Sequence, residues 1–155
     1  MKHISLVFFA IFLVLPPLRT AAQTARIGIF DRQAVALAYY RSPLFAADLA
    51  QHRAALADAR RAIDAEKIRT LSEWGSQSQK LAHKQVFENA PIPNILEALK
   101  PAFDEIEKTQ HLAGIAPAPA GASAETVDVT PQLLDWLKAD RQTRSLIQDM
   151  QKQRK

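Results

Sequence analysis

Between Leu44 and about Leu71 the chain has no Gly or Pro, and Leu49, Leu56 and Ile63 recur every seven residues. Phe45, His52, Ala59 and Glu66 fill the alternate heptad slots. So thin an apolar seam on a charged segment predicts a long helix in an extended arm or helical hairpin, not one buried on several sides. About thirty residues at 1.5 Å each would reach roughly 45 Å. The polar run from Ser72 to Gln79, holding Trp74 and Gly75, interrupts the seam and predicts the hairpin tip. Lys80 to Glu88 then reads as the returning helix, so the arm hairpin occupies about 43–90. Ahead of it, Arg26-Ile27-Gly28-Ile29-Phe30-Asp31 alternates as one short strand, with Ile27 and Ile29 on one side and Gly28 and Phe30 on the other. Gln33 to Tyr40 begins a first helix, and Ser42-Pro43 restarts the chain as a cap followed by proline at the first helical position.

Beyond the arm, Pro91 and Pro93 mark a joint, after which Asn94 is expected to cap a helix carrying Ile95, Leu99, Phe103 and Ile106. Pro101 is expected to kink that helix and Gly114 to stop it. Residues 115–125 are Pro/Ala-rich and read as a semi-rigid extended loop. Thr126 to Val129 can form a short extended segment, and Thr130-Pro131 opens a C-terminal helix over 131–150 with Leu133, Leu134, Leu137, Leu146, Ile147 and Met150. The tail from Gln151 to Lys155 is expected to fray. The expected fold is mainly α: a long helical hairpin on a small α+β base, the base made from the N-terminal strand and the extended segment before the C-terminal helix.

The first residues change the compartment. Met1-Lys2-His3 precedes about twelve mostly apolar residues, Pro16-Pro17 ends the run, and Thr20-Ala21-Ala22 offers small side chains to a signal peptidase. A membrane span needs roughly twenty apolar residues, so residues 1–22 are expected to be a cleavable signal peptide and 23–155 a single exported domain. Of 20 basic and 16 acidic residues, removal of Lys2 and Arg19 leaves 18 and 16, too even a balance for general nucleic-acid binding. With no cysteine, disulfides, thiolate metal sites and cysteine nucleophiles are excluded. Charge is partitioned nonetheless. Residues 91–128 hold two basic and six acidic side chains, and residues 131–155 hold six basic and three acidic. These segments are either solvated faces or partners for each other within or between protomers.

Patterns of catalysis are absent. Gly28 lacks the further glycines and the lysine of a phosphate-cradling loop, and there is neither a Gly-x-Ser-x-Gly elbow nor a His-Glu-x-x-His pair. A metal site would need the hairpin to bring His52 and His83 together with Asp48 or Glu88, and surface or seam histidines are the simpler reading. The carboxylates Asp64 and Glu66, and Asp104, Glu105 and Glu107, read as solvated faces, since acid/base pairs need a cleft that separates their pKa values. Tyr39 and Trp136 adjoin apolar runs and read as core. Trp74, at the expected tip, is either a contact residue or a packed turn. The expectation is of no enzyme, no cofactor and no metal.

An exported chain with the strand Arg26-Ile27-Gly28-Ile29-Phe30-Asp31 at its front, a long charged hairpin, and Val127-Asp128-Val129-Thr130 followed by Leu133, Leu134 and Leu137 at its back resembles the Skp (OmpH-like) periplasmic chaperones. The resemblance implies a trimer with a small β body and helical arms that holds unfolded outer-membrane proteins between the arms without ATP. On that reading Phe45, Leu49, Leu56, Ile63 and Trp74 are client or partner contacts, and Leu133 and Leu137 are body core. The arm, 43–90, carries seven basic and six acidic residues, so its composition supports no overall electrostatic grip. The alternative is a helical adaptor that binds one folded envelope partner through the acidic and basic segments.

Overall fold

The computed structural model describes residues 26–118 and 126–154; the expected signal peptide, 1–22, and residues 119–125 of the expected loop lie outside the described residues. The chain is mainly helical. In order it runs β1 (Arg26–Phe30), α1 (Arg32–Tyr40), α2 (Pro43–Arg61), α3 (Ala65–Phe87), α4 (Pro93–Gln110), β2 (Leu112–Pro117), β3 (Thr126–Asp128), α5 (Thr130–Trp136) and α6 (Arg141–Gln153).

The strand at the front acquires two partners. β1 lies between β2 and β3 and is parallel to both, with Gly28 opposite Ile115 and Val127. As the alternation predicts, Gly28 and Phe30 are buried while Ile27 is 47% exposed. Phe30 stacks on Phe103 of α4 with ring centroids 5.9 Å apart. Gly28 is required by proximity: a Cβ there would stand 2.9 Å from Ile115 Cγ1 and Leu112 Cδ1. The core continues from this face through Ala34, Val35 and Ala38 of α1, Ile95 and Leu99 of α4, and Leu133 and Leu137, which take the body-core places expected of them.

Asp31 fixes the base. Its Oδ1 accepts the amides of Gln33 and Ala34, both at 3.1 Å, and so caps α1. Its own amide donates to Thr130 Oγ1 at 2.9 Å, and its Oδ2 accepts from Gln151 at 3.0 Å and Arg154 at 2.5 Å. One residue thus ties β1 to α1, α5 and α6. Burial disfavours its charge, but the bonds from Arg154, Gln151 and the Ala34 amide, with the charge of Arg154, outweigh burial and hold the carboxyl below the usual value.

Several helix ends fall elsewhere than expected. The hairpin turns at Ala62, Ile63 and Asp64, not at Ser72–Gln79, which lies inside α3. α2 ends in paired bonds, Ile63 N to Arg60 O at 3.2 Å and Asp64 N to Ala59 O at 3.0 Å, with Ile63 left-handed at φ 56. Asp64 then caps α3 by accepting the Lys67 amide at 3.0 Å. The Ser72–Gln79 run stays helical because its polar groups face solvent or bond backward, as Ser76 Oγ does to Ser72 O at 3.4 Å. Asn94 is not the cap of α4; Ile92 holds that position and Asn94 turns to Tyr40. α4 runs on through Pro101 and ends at left-handed His111, so Gly114 falls inside β2 rather than stopping a helix. Residues 115–117, expected as loop, finish β2, an edge strand where proline is tolerated. The expected helix 131–150 is two helices, because Lys138 turns left-handed at φ 54 and Asp140 caps α6 through the Thr143 amide at 2.7 Å.

Two outcomes are expected. Asp31 is depressed in the folded state, so its contribution is whole above the unfolded carboxylate value near pH 4 and is lost as pH falls through the lower folded value. Asp31→Asn keeps a cap but loses the ion pair, so urea unfolding should show it losing less stability than the parent between pH 7 and pH 3. Ile63 is β-branched, left-handed and 86% exposed. Ile63→Asn should therefore raise unfolding stability by about 1 kcal/mol, because asparagine tolerates that backbone region.

Candidate functional site

The site follows from where the hairpin turns. With the turn at Ile63, residues equally far before and after it come opposite each other, and His52 and Trp74 are each eleven positions away. They meet face to face, ring centroids 3.5 Å apart and planes 4° from parallel. His52 Nδ1 also donates to the Asp48 carbonyl at 3.1 Å, which fixes the ring's rotation.

Around this stack α2 and α3 leave a groove of 510 Å³, lined by Phe45, Leu49, Leu56, Leu71, Trp74 and Gly75 among others. That volume lies within the range of small-ligand pockets. Four of the five residues expected as contacts, Phe45, Leu49, Leu56 and Trp74, come together here, all half-buried. Ile63 does not; it stands exposed at the hairpin tip. Trp74 is no tip residue but part of the groove wall.

The root of the groove is rigid. Tyr40 and Phe45 meet edge to face at 4.9 Å, with Tyr39 5.7 Å from Phe45. The Tyr40 hydroxyl donates to Gln85 Oε1 at 2.7 Å, while Gln85 Nε2 donates to Pro91 O at 2.8 Å and Asn94 Oδ1 at 2.7 Å. Asn94 Nδ2 closes the ring of bonds onto the Tyr40 hydroxyl at 3.3 Å. Gln85 is fully buried, and these partners satisfy both ends of its amide. Burial pushes the Tyr40 phenol above its ordinary value, although the Asn94 bond opposes that. The hydroxyl is therefore a neutral donor across the physiological range.

A larger cleft of 780 Å³ lies at the ends of the strands, lined by Asp31, Asp128 and Arg144 among others. Four of its charged groups are engaged, Asp31 with Arg154, Asp128 by the Thr130 amide and Arg144 by Asp135, whereas Arg32 makes no side-chain bond among the described residues. The histidines weighed for metal stay apart in function, His52 on Trp74 and His83 beside Glu88 and Phe87. Among the described residues no three His, Cys, Asp or Glu side chains are grouped to hold a metal ion. Among them, too, no ion pair is found between the acidic segment 91–128 and the basic segment 131–155. No described helix is long and apolar enough to cross a membrane. Compared with protein-family models, curated proteins and solved structures, the chain matches none.

Leu71, Gly75 and His52 were not read as contacts from sequence, because placing the tip at 72–79 put them out of register. Symmetry about Ile63-Asp64, with Asp64 seen as a cap, would have paired them. Gly75 sits mid-helix, and a Cβ there would meet nothing within 4 Å. Gly75→Ala should accordingly stabilise the fold by about 0.5–1 kcal/mol in denaturant unfolding, the usual helix-propensity gain.

Proposed function

We propose that this chain is an exported, non-enzymatic periplasmic protein of Skp-like type, a holdase that binds unfolded envelope or outer-membrane proteins without ATP. The carrying observation is the groove itself: Phe45, Leu49 and Leu56 of α2 and Trp74 of α3 line one open apolar channel that no described side chain fills. An unfolded chain offers what such a channel lacks, apolar side chains in an extended segment, and no chemistry beyond burial is required. Leu44 at 42%, Leu81 at 40% and Phe87 at 61% exposure extend weakly apolar surface along the same arm. Assembly into a homo-oligomer, a trimer on the Skp-like reading, is part of this proposal. Parallel sheets are ordinarily covered on both faces, and Ile27 leaves an apolar position uncovered on one.

A second reading has its own support. Glu97, Asp104 and Glu105 are exposed on α4 and make no ion pair among the described residues, as a surface for one folded basic partner would require. A single stoichiometric complex that weakens with salt, without affinity for unfolded chains, favours this adaptor.

The protein lacking residues 1–22 should sediment as an oligomer and should lower light scattering from an unfolded β-barrel protein diluted out of denaturant. Leu49→Gln with Leu56→Gln, both half-buried, should abolish most of that suppression while the helical circular dichroism is retained. A monomer without effect on scattering removes the holdase reading.

A further inference from the structure

The arm is nearly balanced in charge, but the groove is not. His52 and Arg53 are the lining residues that can carry positive charge, and no carboxylate lines it. Of the nearby acidic residues, Asp48 lies beside His52, Asp58 pairs with Arg61, Glu73 with Arg69, and Asp64 caps the Lys67 amide, while Glu66 stands in the first turn of α3 and does not line the groove. Arg53 itself makes no hydrogen bond or ion pair among the described residues. The α3 wall it faces across the groove, through Trp74, Gly75, Ser78 and Gln79, is neutral. A cation therefore lines an apolar channel that holds no carboxylate to pair with it. The missing side chain of Gly75 leaves open space on that wall, where an incoming chain can approach the helix backbone.

From this charge complementarity we infer that the groove selects an apolar stretch of unfolded polypeptide flanked by a carboxylate, the apolar side chains lying over Leu49, Leu56 and Trp74 and the carboxylate meeting Arg53. The inference rests on the holdase reading and sharpens it. Burial supplies the affinity, and Arg53 supplies the preference among segments of equal hydrophobicity. Arginine suits this role because its guanidinium can meet a carboxylate through two parallel bonds.

The test uses three acetylated ten-residue peptides of Leu, Phe and Ser, identical except for Glu, Gln or Lys at one flanking position. Binding is read by Trp74 fluorescence in a Trp136→Phe background at low salt. The Glu peptide should bind about two- to fivefold more tightly than the Gln peptide, the worth of one partly exposed ion pair, with the Lys peptide weakest. Arg53→Gln should bring the three affinities together and leave the Gln peptide's affinity unchanged. Equal affinities with Arg53 in place overturn the carboxylate preference and leave the groove as the client site. Failure of every peptide to bind overturns the groove reading as well. A fall in sedimenting mass on Trp74→Ala assigns the groove to a second copy of the chain, which also overturns the inference.

Discussion

The carboxylate of Asp31 holds together elements distant in sequence, joining the end of β1 to the start of α1 and the end of α6. It stands where β1 passes into α1, so it decides at once where the strand stops and the helix starts. Its side chain closes the first turn of α1, its amide reaches the start of α5, and its second oxygen receives the end of α6. Three strands pack with α1, α4 and α5 around one cluster of Phe30, Ile95, Leu99, Leu133 and Leu137 with small alanines between, and a single core in so short a chain leaves little stability to spare. A half-buried junction whose carboxylate oxygens are both bonded favours one arrangement of so small a base.

The hairpin depends on the base through a different knot. Gln85 bonds the end of α3 to the end of α1 and to the start of α4, so the arm leaves the base at a fixed angle. Farther out the arm has few buried residues; Ala59 is buried near the turn, and most of the remaining surface meets water. Local opening is cheapest where buried contacts are few. The base is therefore the stable unit and the arm the adaptable one.

Much of this was legible in the sequence. The alternation in Arg26–Phe30, the Ser42-Pro43 restart, the extended Thr126–Val129 segment and the seam of Phe45, Leu49 and Leu56 each carry a strong local signal, and each is found where the pattern places it. The turns were not legible, for one shared reason. With four glycines in the whole chain, helices stop without the residue that ordinarily marks a stop. Left-handed Ile63, Asn89, His111 and Lys138 occupy those positions instead. The glycines present mislead: Gly75 lies within a helix and Gly114 within a strand. β2 was hidden in the same way, since Ala, Gly and Pro give no strand signal and only pairing to β1 makes them one.

Misplacing one turn was enough to hide half of the site, and the reason is geometric. A helical hairpin pairs residues by their distance from its turn, so moving the turn re-pairs every residue along both arms. Once the turn is at Ile63, His52 and Trp74 face each other and the groove becomes a consequence of three fixed points. Ala59 lets the helices close together near the tip, the Gln85 knot sets their spacing at the root, and a flat ring stack spans the gap between. Two flat rings bridge the helices at one level without the interdigitation that branched side chains would bring, and Gly75 beside them adds no side chain at all. An alanine at 75 would strengthen the helix without a clash, although its methyl would touch nothing across the groove. Glycine at this position costs the helix stability and leaves the α3 wall open beside the Trp74 ring.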